Sequence, residues 1–406
     1  MDILPILSTL RRHKTAAALI VLEIALSCAI ICNAVFLIST RLERMDRVTG
    51  LAESELVRLS ITGIGKEDDA ELKSRDDIAA LRAIPGVTAA TSTNQIPFGN
   101  SSWNSSINLA PQQASPSMNA SMYMGDEQLL ETFGLRLLEG RDFAADEYVT
   151  WKALTAPGST VKVPAVILTS AAARKLFPGT SAVGKSIYGG DDDSPQRVVG
   201  VVEHLIRPGE NGGPAAAQLS MILPIRVAAG TYVLRTSPER RAEVQKAAVA
   251  ALDRINPNRI ITDQNTFTEM RDKYYRQDRA MAWLLITVCI ALLVVTALGI
   301  VGLASFWVQQ RTKQIGIRRA LGATRGQILR YFQTENLLLA TLGIVLGMLL
   351  AYGINLLLMQ HYELPRLPAI YLPIGAVALW LLGQIAVFGP ARRAASVPPA
   401  VATRSV

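Results

Sequence analysis

Cysteine and histidine are scarce in this sequence, three of each in 406 residues, and charge is thin at 18% Asp, Glu, Lys and Arg. Soluble domains carry about 25% charge. Three cysteines exclude a disulfide scaffold. His13, His204 and His361 fall in three different regions, so spacing offers no metal-ligand cluster. No catalytic triad, paired-carboxylate site or cofactor loop stands out, and no catalysis by the chain itself is expected. Half of the residues are apolar, too many for a disordered chain, and their uneven spread does not suit an ordinary cytosolic enzyme.

Four runs are long and apolar enough to cross a bilayer, which takes about 20 helical residues. They are Ala16–Leu37, Met281–Val308, Leu337–Met359 and Ile370–Phe388, the last interrupted by Pro373 and Gln384. Cys28, Cys32 and Cys289 all lie inside these runs. Cys28 and Cys32, four apart on one helical face, are expected to pack and not to bind metal. Between the first and second runs lies a polar, cysteine-free segment of 240 residues, Arg41–Ala280. A segment of that size can bury a sufficient core without disulfides.

Orientation follows from Lys and Arg near the spans, because cytoplasmic loops carry the excess. Arg11, Arg12 and Lys14 precede the first run. Arg311, Lys313, Arg318, Arg319, Arg325 and Arg330 lie between the second and third, and Arg392, Arg393 and Arg404 follow the fourth. Only Asp2 and Glu335 oppose these twelve. The 240-residue segment is nearly neutral, with 28 basic and 29 acidic residues, and Glu363 and Arg366 cancel in the remaining turn. The net charge of +8 is therefore a topology signal, and nucleic-acid binding is not expected. Both termini should be cytoplasmic and the large segment outside. Cleaved secretory signals have apolar cores of about 7–15 residues, so the longer first run reads as an uncleaved anchor.

In the large segment, Arg41–Gly50 reads as a continuation of the first span ended by Gly50. Glu55–Ile61, a stretch running through Val87 after the Pro85-Gly86 turn, Ala165–Thr169, Gln196–Val202, Thr231–Arg235 and Arg259–Thr262 read as strands. Asp76–Ile84, Asp126–Phe133, Ala171–Leu176, Glu239–Ile255 and Phe267–Ala280 read as helices, the last running into the second span. Asn94–Asn119, rich in Ser, Asn, Gln and Pro, reads as a long loop, and Arg207–Ala217 as a linker. The alternation predicts an α+β domain. The Asn-x-Ser triplets at Asn100, Asn104 and Asn119 are unsurprising in such a loop.

Gly179–Ser186 matches the phosphate-loop pattern GxxxxGK[ST]. That loop requires a buried strand before it and a helix after it, so that backbone amides cradle phosphate. Here a short helix and turn precede it, and SIYGGDDD follows. A surface turn leading into a strand is the expectation.

The stretch RTKQIGIRRALGATRGQILRYFQTENLLLATLGIVLGMLLAYG, from Arg311, resembles the FtsX-like permease module of MacB-type ABC transporters, with Gln314 where that family often has Glu. The ending PARRAASVPPAVATRS is similar to the close of the same module. DIAALRAIPGV, FGLRLLEGRDF, VILTSAAARKLFPGTSAVGKSI and QRVVGVV resemble the MacB periplasmic core domain. The resemblance implies an α-helical membrane protein with four transmembrane helices plus a large α+β periplasmic domain inserted between the first two. Three regions follow: 1–40 with the first span, 41–280 as the periplasmic domain with stalk helices at both ends, and 281–406 as the FtsX-like module.

Residues Arg311–Ala320 form a short basic helix, ended by Gly322, with Thr324 capping the next. Sequence physics leaves two uses open, docking in a soluble partner or lying on anionic lipid. The resemblance favours a coupling helix that contacts an ATPase through Arg311, Ile315, Ile317, Arg318, Arg319 and Leu321. Gly343 and Gly347 form GxxxG, and Gly299 and Gly302 a second small patch; both favour close helix packing. Glu23 is the one ionisable residue within a span. A paired or neutral role in helix packing is expected, with Gln384 as partner, over a proton or substrate site.

By resemblance the chain is a permease subunit of a MacB-like ABC efflux transporter in the bacterial inner membrane. No cofactor is expected on it; ATP and magnesium would be held by a separate cytoplasmic ABC ATPase. A second permease chain, identical or paralogous, a MacA-type adaptor, a TolC-like outer-membrane channel and membrane lipid are the implied partners. The work would be mechanotransmission to a periplasmic cargo such as an amphipathic compound or peptide. Lipoprotein release, as in LolC and LolE, and FtsX-type control of a cell-wall hydrolase are the alternatives.

Overall fold

The computed structural model describes residues 14–63, 70–99, 101–189, 194–209, 213–228, 230–362 and 366–396. Asp2, Arg11, Arg12, His13, Asn100, Glu363, Arg404 and the closing motif beyond residue 396 lie outside the described residues. The chain divides into two compact units, Asp46–Arg276 and the remainder.

Helix α1 covers Lys14–Met45. It stops short of Gly50, where the sequence placed its end; Gly50 instead takes a left-handed φ of +88°, against the His204 carbonyl, which any side chain would strike.

Within Asp46–Arg276 the chain forms β1 (Leu56–Gly63), α2 (Ala70–Arg82) and β2 (Val87–Ser92). Then come β3 (Asn104–Asn108), β4 (Met118–Met124), α3 (Leu129–Phe133), β5 (Leu137–Gly140), β6 (Val149–Thr150), α4 (Trp151–Thr155) and β7 (Ala165–Thr169). Next are α5 (Ser170–Leu176), β8 (Ser186–Gly189), β9 (Pro195–Val202), β10 (Ser220–Leu223) and β11 (Ile225–Arg226). The unit ends with β12 (Thr231–Thr236), α6 (Arg241–Ile255), β13 (Arg259–Thr266) and α7 (Phe267–Tyr274).

The strands build two lobes. The first is an antiparallel sheet ordered β13-β1-β12-β2, formed by β1-α2-β2 and β12-α6-β13, the split β-α-β arrangement. Ile78 and Leu81 of α2 and Val244, Ala248 and Leu252 of α6 recur at helical spacing and are buried on Leu59, Tyr232 and Leu234. That apolar stripe is what holds both helices to the sheet. The second lobe is inserted between β2 and β12. Its strands run β5-β9-β7-β10-β4-β3-β8, and β8 pairs back onto β9, so six strands close into a ring around Met124, Val166, Leu168, Ile187, Val198 and Met221. Closure removes sheet edges.

The long loop expected over Asn94–Asn119 is a correction: it contains β3 and the start of β4. Its polar residues are structural. Asn94 donates to the Met122 carbonyl at 2.9 Å and accepts from the Met124 amide at 2.9 Å, while Gln95 accepts from the Trp103 amide at 2.6 Å. Phe98, at φ +62°, packs on Phe267, Tyr274 and Tyr275 with ring centroids 5.1–5.4 Å apart.

After α7, Tyr275 breaks the helix and α8 runs Arg276–Gln310. The expected unbroken helix into the second span is therefore two helices. α9 (Thr312–Ala320), α10 (Arg325–Tyr362) and α11 (Tyr371–Ser396) complete the chain. Among the described residues, α1, α8, α10 and α11 are the four helices long and apolar enough to cross a membrane. α1 is the most buried and α8 the least. Asp278 at the start of α8 accepts from Arg41 at 2.5 Å and Arg44 at 3.3 Å, tying α8 to the end of α1.

Candidate functional site

The basic corner between α8 and α10 is built from the expected residues, but it divides them. Arg311 breaks the helix between α8 and α9. α9 ends with the Ala323 amide donating back to the Arg318 carbonyl at 3.0 Å and Gly322 at φ +100°. Thr324 then caps α10: it accepts from the Gln327 amide at 3.3 Å, and its own amide donates to Gln327 Oε1 at 2.9 Å. This reciprocal pair satisfies two otherwise orphaned amides.

Ile315 points inward, into a cluster with Val308, Ile328, Phe332 and the alanines 391, 394 and 395 of α11. Arg311 is also buried. Its Nη1 donates to both Glu335 oxygens at 3.0 and 2.9 Å, and its guanidinium lies 5.6 Å from the Trp307 ring centroid. Ile317 and Leu321 face outward, Leu321 at 83% exposure, and Arg318 stacks over Tyr331 at 5.1 Å. Arg319 is half-buried. The corner thus presents an apolar knob flanked by cations on a clamped short helix. Sequence reasoning counted Glu335 only as a charge; an isolated acid among basic residues at the head of a span was the available signal.

Gly343 and Gly347 pack within the chain, whereas Gly302, for which close packing was also expected, has open space around it. A Cβ on Gly343 would lie 2.8 Å from Ile24 Cβ, and one on Gly347 would lie 2.5 Å from Cys28 Cβ and 2.7 Å from the Ala25 carbonyl. Cys32 fills the space beside Gly375, and the Cys28 and Cys32 sulfurs are 3.9 Å apart. Ser27 and Thr296 hydroxyls meet at 2.8 Å. Glu23 does not meet Gln384, which donates to the Gln333 carbonyl at 3.4 Å. Its carboxylate instead fills the space beside Gly299 of α8.

In the other unit, Gly179–Ser186 is the expected turn. α5 precedes it, β8 follows it, and Lys185 is held by the Thr180 hydroxyl at 2.5 Å and the Phe177 ring at 4.6 Å. A cleft of about 330 Å³ lies where the two lobes meet, between α2 and Asp126, Glu127 and Arg226. Burial raises the Asp126 pKa against the opposing pull of Arg82 at 3.0 Å and the Thr91 hydroxyl at 2.8 Å. Burial also opposes ionisation of Glu127, but its bond from Arg226 holds its pKa below the ordinary value. Among the described residues no group of three or more His, Cys, Asp and Glu could hold a metal.

Residues 17–252 match the model of the MacB-like periplasmic core domain, and residues 286–399 that of the FtsX-like permease C-terminal module. The macrolide export ATP-binding/permease protein MacB of Chromobacterium violaceum is 27% identical over 302 residues, covering 70% of this chain and 43% of that protein. The uncharacterized ABC transporter permease YvrN of Bacillus subtilis is 26% identical over 298 residues, covering 70% of this chain and 69% of YvrN. Among solved structures, the periplasmic region of MacB from Actinobacillus actinomycetemcomitans aligns with TM-score 0.34 at 16% identity, covering 55% of this chain and 94% of that one. The chain spans about half the length of the MacB proteins it matches.

Proposed function

The chain belongs to the MacB-like ABC permeases, with a MacB-like periplasmic core domain and an FtsX-like permease module, and from that premise we propose that it is the membrane subunit of an efflux exporter. ATP is bound together with magnesium, and hydrolysed, on a cytoplasmic ABC ATPase. The basic corner faces the cytoplasm of the inner membrane, a reading that the charge asymmetry of the loops supports. Two permease chains and two ATPases form the working unit. ATPase motion is received by α9 and passed through the spans to the periplasmic domain, which acts on an amphipathic compound or peptide beside a MacA-type adaptor and a TolC-like channel.

One observation carries this reading: Ile317 and Leu321 stand exposed on a helix whose other face is fixed by Ile315 and Arg311. A stiff apolar knob suits a groove in a moving soluble partner, because the exposed face binds while the buried face takes the load. The test is the complex co-purified from its native membrane. Ile317→Asp with Leu321→Asp is expected to abolish ATPase stimulation by the permease while insertion and expression stay at the wild-type level. Undiminished stimulation by the double variant would overturn the assignment.

A further inference from the structure

We propose that Arg311 and Glu335 are a pair of positioning residues. They form a buried ionic joint that makes α9 and the base of α10 move as one body, so that displacement of α9 enters the helix bundle through α10. The functional part of this inference rests on the reading of α9 as the receiving element; the structural part does not.

The joint sits where the backbone is weakest. At Arg311 the chain leaves the helical conformation, with φ −102° and ψ 8°, and a break of one residue between two helices would by itself be a hinge. The side chain of that same residue is fixed across the corner. Arg311 and Glu335 side chains are 8% and 2% exposed, and one guanidinium nitrogen lies within 3.0 Å of both carboxylate oxygens. Trp307, one turn earlier on α8, covers the guanidinium face. Separating the pair would pull apart two buried, oppositely charged groups held by direct hydrogen bonds, so an open joint is strongly disfavoured. An apolar contact could slide and stay buried; an ion pair with short, directional bonds holds one register. Ile315, one turn onward, adds a second pin.

Onward transmission favours α10 over α8. α10 meets α1 with backbone-close contacts at Gly343 and Gly347, and Trp380 of α11 donates to Thr341 of α10 at 3.1 Å. α8 instead leaves Trp283, Leu284, Ile290, Val295 and Leu298 exposed. The path is therefore α9 to α10 to α1, with α8 tied to α1 at its far end by Asp278.

The test uses the full chain in lipid nanodiscs, with native cysteines replaced by alanine and spin labels at Lys313→Cys on α9 and Leu342→Cys on α10, both exposed positions. The parent is expected to give one narrow distance peak. Glu335→Gln and Arg311→Ala should each lose it, and the swap Arg311→Glu with Glu335→Arg should restore it. A narrow peak retained in both single variants would overturn the joint. In the co-purified complex, Glu335→Gln should keep the ATPase bound yet lower its stimulation about tenfold, within the range of ordinary coupling energies, with recovery in the swap. Full stimulation in Glu335→Gln would overturn the route through α10. A parent that stimulates no ATPase at all would instead sink the proposed function, and the distance measurement would still decide the joint.

Discussion

In the periplasmic domain the Asp77 and Arg259 side chains are almost fully buried and lie 2.5 Å apart, with the Tyr232 hydroxyl donating to the same Asp77 oxygen at 2.7 Å. Removing one partner of such a pair strands a charge in the core, at a cost of about 3–5 kcal/mol. Asp77→Ala is expected to raise hydrogen exchange in α2, β12 and β13 accordingly, while Arg136→Ala, whose partner Glu203 sits at the surface, should shift exchange by well under 1 kcal/mol, about what exposed pairs contribute. Asp126 gives a pH signature. Its pKa is raised in the fold by burial above the ordinary 3.8, so the folded domain holds that proton more tightly than the unfolded chain does. Wild-type stability relative to Asp126→Asn should therefore grow as pH falls through the window between 3.8 and the raised value. Hydrogen exchange of both proteins across pH 7 to 4 measures this, and a gap moving the other way would refute it. Residue pairings were the least legible feature in the sequence. Glu335 and Gln384 each lie far along the chain from the groups they meet, and only the packing of α10 and α11 decides which partner each finds.

At the scale of elements, the long apolar helices were legible because a bilayer imposes length and composition together. Their ends were not: the helix expected to continue to Gly50 stops at Met45, and the one expected to run unbroken through Ala280 breaks at Tyr275. β3 was hidden for a different reason. Its sequence, NSSIN, has little strand propensity, and it exists because β4 and β8 pair with it and Ile107 enters the core. Gly343 and Gly347 of the GxxxG motif lie against Ile24, Ala25 and Cys28 of α1. Gly347→Val should overpack the α1–α10 contact by about 1–3 kcal/mol and lower the midpoint of heat aggregation of the detergent-solubilised chain. Gly302→Ala, with open space around it, should leave that midpoint where it was.

For the molecule as a whole, hydropathy and charge together fixed the class, four spans and one large insertion, since both respond to solvent rather than to detailed packing. The nesting of a closed ring of strands inside a split β-α-β lobe was not readable, because strand register depends on partners more than a hundred residues away, as between β1 and β12. The topology carries a simple expectation. Cys28, Cys32 and Cys289 are buried, so a membrane-impermeant maleimide should leave intact cells and inverted vesicles of the native protein unlabelled. Leu321→Cys should be modified only in inverted vesicles and Leu109→Cys, at an exposed site of the periplasmic domain, only from the opposite side. Labelling of both from one side would refute the orientation.

The strand that brings the chain into the periplasmic domain and the strand that takes it out are neighbours: β1 and β13 run antiparallel, with Val57 opposite Thr266. The two handles of the domain are thus about 5 Å apart at that rung and leave from the same end of the ladder. Tugged in step, they put no tension across that ladder. Splayed, they would unzip it one rung at a time, so the domain is suited to being carried by handles that travel together and is mechanically frail toward handles that part.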